Sequence, residues 1–92
     1  MGRKDTDLTH YVADRLAAAE NGKTDAFYDL GLLYSTGQGV DRDYVQAHKW
    51  FNLAAINGLH RAAVDRGELA RDMNVRDIAK AQRQAREWLA RH

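Results

Sequence analysis

The chain repeats itself, and that self-similarity limits its possible folds more than any other feature of its sequence. At an offset of 36, Ala18-Ala19-Glu20-Asn21-Gly22 falls on Ala54-Ala55-Ile56-Asn57-Gly58, Ala26 on Ala62, Gly31 on Gly67 and Leu33 on Leu69. Beyond the middle loop the offset drops to 34, where Arg42-Asp43-Tyr44 meets Arg76-Asp77-Ile78, Ala47 meets Ala81 and Lys49 meets Arg83. A fixed period of this length is the mark of stacked units that each bury one face against the next. The second copy has lost two loop residues, including the glycines of the first.

The spacing of apolar residues inside each copy is helical. Leu8, Tyr11, Val12, Leu16 and Ala19 share a face of a first helix that Asn21-Gly22 ends. Ala26, Leu30, Leu33 and Tyr34 mark a second, from Thr24 to the break at Gly37-Gln38-Gly39. Asp41 reads as the cap of a third, with Tyr44, Ala47, Trp50 or Phe51, Ala54 and Ala55 on its stripe. A fourth, from about Leu59 to Arg71, carries Ala62, Ala63, Arg66 or Gly67, Leu69 and Ala70. Asn74 with Asp77 resembles the start of a fifth, striped by Ile78, Ala81, Ala85, Trp88 and Leu89. Fifteen alanines and nine leucines against five valines and two isoleucines agree with an all-α fold. The expected architecture is a short right-handed α-solenoid of antiparallel helix hairpins in one domain, 1–92. It comprises a partial leading unit at 5–22, a full repeat at 24–58 and a degenerate C-terminal repeat at 59–91. Gly31 and Gly67 sit mid-helix, where glycine costs about 1 kcal/mol relative to alanine, so close approach of the partner helix is expected at both.

The segment Ala26-Phe27-Tyr28-Asp29-Leu30-Gly31, Tyr34, the loop Gly37-Gln38-Gly39-Val40, the acidic stretch Asp41 to Asp43, Ala47, Trp50-Phe51, Ala54-Ala55 and Gly58 resembles a Sel1-like repeat, a helical hairpin related to tetratricopeptide repeats. The flanks depart from that pattern: Val75-Arg76-Asp77-Ile78 replaces the glycine loop, Arg66 a leucine, and Gln84 stands where Trp50 would. The resemblance implies an adaptor that holds another protein on a concave surface, without chemistry of its own. Together with the small size it also implies a bacterial protein. In related solenoids the positions facing away from the motif stripe line the concave face. Here those are Asp25, Asp29 and Leu32 on the second helix and Arg61, Asp65 and Glu68 on the fourth. Phe27 stands out as an aromatic where many relatives carry a polar residue; it reads either as an exposed hot spot for a partner or as part of the core. Tyr34, Tyr44, Trp50 and Phe51 coincide with the motif stripes and read as core.

Other functions find little support in the residues. No cysteine means no disulfide, no thiolate metal site and no cysteine nucleophile. The histidines His10, His48, His60 and His92 never recur at the spacing that puts two ligands on one helical face. Ser35 is the only serine and lies beside a glycine turn, and Gly37-Gln38-Gly39-Val40 lacks the lysine of a phosphate loop. The reading is therefore a non-enzymatic module with no cofactor. Residues 1–8 carry Arg3, Lys4, Asp5 and Asp7 rather than a signal peptide's apolar run, and nothing approaches the ~20 apolar residues of a membrane span. A cytoplasmic protein that does not engage membranes is expected.

The net charge of +1 hides an asymmetry: −2 over residues 1–58 and +3 over 59–92. Arg76, Lys80 and Arg83 share one face of the last helix. They offer an alternative site for an acidic protein, for a second copy in a homo-oligomer, or for nucleic acid, the last disfavoured because no stacking aromatics accompany them.

Overall fold

A computed structural model describes the backbone of residues 2–92 and the side chains of residues 8–92. Five helices follow one another: α1 (Gly2–Glu20), α2 (Thr24–Thr36), α3 (Tyr44–Ile56), α4 (His60–Ala70) and α5 (Val75–Arg91). No strand occurs among the described residues, and no helix there is long and apolar enough to cross a membrane. Local chemistry sets the boundaries. Gly37 ends α2 in the left-handed conformation, φ 73°, returning its N–H to the Leu33 carbonyl. Asn74 caps α5 by accepting from the Asp77 N–H at 2.8 Å. Asp43, not Asp41, caps α3, because its carboxylate is the one placed to accept from the Gln46 N–H at 3.1 Å.

α2 and α3 form the tightest pair, and Gly31 is the reason they approach so closely. A β-carbon there would overlap the Phe51 ring. Ala26, Leu30, Leu33, Ala47, Leu53 and Ala54 complete the buried contact. α1 packs on α2 through Val12 and Ala19, while Tyr11 and Leu16, expected on the same buried stripe, are exposed. Among the described residues α1 packs along α2 and meets α5 only near its C-terminal end, so the outer side of its apolar stripe, at Tyr11 and Leu16, stays uncovered.

The last two helices depart from a repeat hairpin. α5 packs against α3 and makes little or no contact with α4. At the positions equivalent to Trp50-Phe51, α5 carries Gln84-Ala85, and these supply no aromatic to fill a notch on α4. Gln84 instead accepts from the Gln46 amide on α3 at 3.3 Å, and Trp88 turns onto Trp50, with ring centroids 4.9 Å apart. The expectation for Gly67 is thereby corrected: a β-carbon there meets nothing within 4 Å, since the helix that would crowd it has gone elsewhere. Leu89, expected in the buried stripe, is exposed. α4 is held to α3 by burial of Ala62 and by a hydrogen bond from the half-buried Arg66 guanidinium to Asn52 Oδ1.

The two motif glycines should respond in opposite ways to the same change. Gly31→Ala should destabilise by about 1–3 kcal/mol through overpacking against Phe51, and Gly67→Ala should stabilise by about 0.5–1 kcal/mol through helix propensity. Urea denaturation of both variants checks this, and equal effects at the two positions would refute the account of α5.

Candidate functional site

α2 and α4 present side chains at helical spacing toward one another, and an open groove of about 400 Å³ runs between them. α2 contributes Tyr28, Leu32 and Ser35; α4 contributes Arg61, Asp65, Glu68 and Leu69, with Asp72 from the turn beyond; Phe51 of α3 reaches the floor. The Tyr28 hydroxyl donates to Asp65 Oδ2 at 2.6 Å and braces one wall against the other. Its ring lies tilted on Phe51 with centroids 5.7 Å apart. Burial, then the bond to Asp65, push the Tyr28 phenol above its ordinary value of 10.0, while nearby Arg61 opposes the shift.

A second groove of about 320 Å³ lies on the α1 side of α2, lined by Tyr11, Asp29, Leu32, Leu33, Thr36 and Gln38. There Arg15 donates to Asp29 Oδ2 at 3.2 Å and stands 5.7 Å from the Tyr11 ring centre. Burial first, and the Asp29 charge second, raise the Tyr11 phenol. Leu32, 41% exposed, is the ridge shared by both grooves.

The residues expected at a partner surface therefore separate. Leu32, Arg61, Asp65 and Glu68 come together in one groove. Asp29 belongs to the neighbouring groove and is paired with Arg15, and Asp25 is exposed in the first turn of α2 but lines neither. Phe27 as an exposed hot spot is corrected outright. It is 4% exposed, stacked on Trp50 at 5.8 Å and meeting Trp88 edge-on at 6.2 Å, because α5 covers it. Tyr28 and Asp72 are additional groove residues. Tyr28 lies four residues before Leu32 on the same stripe, so helical spacing alone could have found it.

Arg76, Lys80 and Arg83 are exposed on the side of α5 opposite its buried Ala81, Ala85 and Trp88. At the far end of α5, His92 stacks on Trp88 with centroids 3.7 Å apart and bonds Glu20 at 2.8 Å, tying α5 to α1. The bond to Glu20 holds the His92 imidazole above its ordinary 6.5.

The main groove thus offers an apolar ridge and floor beneath carboxylates that carry most of its charge. Such a surface suits a segment with an apolar side chain flanked by cations. Residues 24–59, from the first turn of α2 to the residue before α4, match the Sel1 repeat family. A comparison with curated proteins gave no match.

Tyr28→Phe should cost about 1 kcal/mol of stability by leaving Asp65 without its donor. In an ultraviolet pH titration it should also remove one phenol that ionises above the ordinary tyrosine range. An unchanged set of late-titrating phenols would mean that the brace is not formed in solution.

Proposed function

Because residues 24–59 form a Sel1 repeat, a unit that mediates protein–protein interaction and has no catalytic role, we propose that the chain is a protein-binding adaptor whose partner lies in the groove between α2 and α4. The observation that carries this is the exposed Leu32 ridge standing over Leu69 and Phe51 and rimmed by Asp65, Glu68 and Asp72. Apolar surface kept in water beside a braced wall favours association, since covering it recovers free energy without first ordering the scaffold. The tie between Tyr28 and Asp65 supplies that rigidity. A partner segment the size of one helix or a few extended residues fits the space. A cytoplasmic setting is compatible with a chain lacking cysteine, and the basic outer face of α5 is a separate surface.

Affinity capture from lysate of the source cell, comparing the wild type with Leu32→Asp, tests the reading, with circular dichroism to show that the variant is folded. A protein held by the wild type and bound at least about tenfold more weakly by Leu32→Asp is expected. A protein that ignores Leu32→Asp but is lost with Arg83→Glu would move the binding site to α5.

A further inference from the structure

Arg61, Asp65, Glu68 and Asp72 follow one another at intervals of 4, 3 and 4 residues along α4 and the turn after it. Arg76, Lys80, Arg83 and Glu87 follow one another along α5 at the same intervals of 4, 3 and 4. This spacing returns Arg61, Asp65 and Glu68 to one face of α4, with Asp72 following in the turn, and returns the second set to one face of α5, where it spans about 16 Å at 1.5 Å per residue. Set antiparallel, the two lines meet charge for charge: Asp72 with Arg76, Glu68 with Lys80, Asp65 with Arg83, and Arg61 with Glu87. All four pairs are of opposite sign, and the one base on the acidic line meets the one acid on the basic line.

Within one chain none of these pairs forms, and none of the eight residues makes an ion pair with any other described residue. α5 is held to α3 by Ala81, Ala85 and Trp88, and its charged line lies on the opposite side, toward solvent. To reach its own α4 groove, α5 would have to leave Trp50 and uncover Trp88, which is 8% exposed. The α5 of another molecule can enter the groove while staying docked on its own α3.

We propose that the groove between α2 and α4 takes the outer face of α5 from a second copy of the chain, antiparallel and in the register given above. The inference rests on the groove being the recognition surface. Each copy offers one groove and one α5, so the contact joins unlike surfaces and builds head-to-tail assemblies unless it closes on itself. Exposed ion pairs are individually weak and screened by salt, so the association is modest in affinity, fast and sensitive to ionic strength.

The test is the mass of the whole chain in solution, by sedimentation or light scattering, up to millimolar concentration. At low ionic strength the mass should rise with concentration above the monomer's 10.4 kDa, and high ionic strength should return it to that value. Glu68→Lys or Lys80→Glu alone should weaken association by about tenfold, and the two together in one chain should restore it. Circular dichroism shows whether these exposed substitutions leave the fold intact. A wild type that stays at 10.4 kDa throughout overturns the proposal, as does a double variant no better than the singles. A monomeric wild type whose captured partner still depends on Leu32 overturns self-docking and leaves the groove reading standing. A monomer whose partner is indifferent to Leu32 overturns both.

Discussion

Three rings from three helices, Phe27, Trp50 and Trp88, meet in one cluster, and the placement of α5, and with it of both charged surfaces, follows from it. Phe27 stacks on Trp50, and Trp88 meets both at a steep angle, arrangements that suit the ring quadrupoles. Lys49 lies over the pair, with its Nζ 4.3 Å from the centre of Trp50 and 5.7 Å from that of Trp88. Burial, then the Arg91 charge, lower the Lys49 pKa. Folded domains hold a margin of only about 5–15 kcal/mol, so one buried tryptophan is a large share of it.

This cluster decides what remains for the surface. By drawing α5 onto α3, it takes from α4 the partner that a second hairpin would have given it. The notch at Gly67 stays open, and the line from Arg61 to Asp72 faces a groove instead of a helix of the same chain. It also turns the basic line of α5 outward. Within residues 59–92, the acidic line of α4 and the basic line of α5 thereby become two separated surfaces of opposite sign, which favours association between molecules.

The helix boundaries were legible in the sequence because they rest on local signals, the glycines at Gly22 and Gly37 and the Asn74 cap, that act within a few residues. Gly31 was legible for the same reason, its partner Phe51 lying in the same repeat. Gly67 was not, since its neighbour depends on the path of α5, and the equivalence of the two copies suggested a crowding that Ala85 cannot supply. Phe27 stacks on Trp50 within its own hairpin, but its second aromatic neighbour, Trp88, lies 61 residues along the chain, beyond the reach of any local pattern. Asp41 and Asp43 are equally good caps by composition, and only the reach to the Gln46 N–H separates them. At the groove, Leu32, Arg61, Asp65 and Glu68 followed from helical phase together with the resemblance to helical-repeat solenoids, whereas the brace from Tyr28 to Asp65 spans 37 residues between elements that no local pattern relates.

The most direct test of the cluster's role is amide hydrogen exchange on Trp88→Ala. If the aromatic contact holds α5 in place, the amides of α5 lose most of their protection, α2 and α3 keep theirs, and urea stability falls by about 3–5 kcal/mol. An α5 as well protected in Trp88→Ala as in the wild type would show that something other than the rings positions it, and the account of both surfaces would lose its foundation.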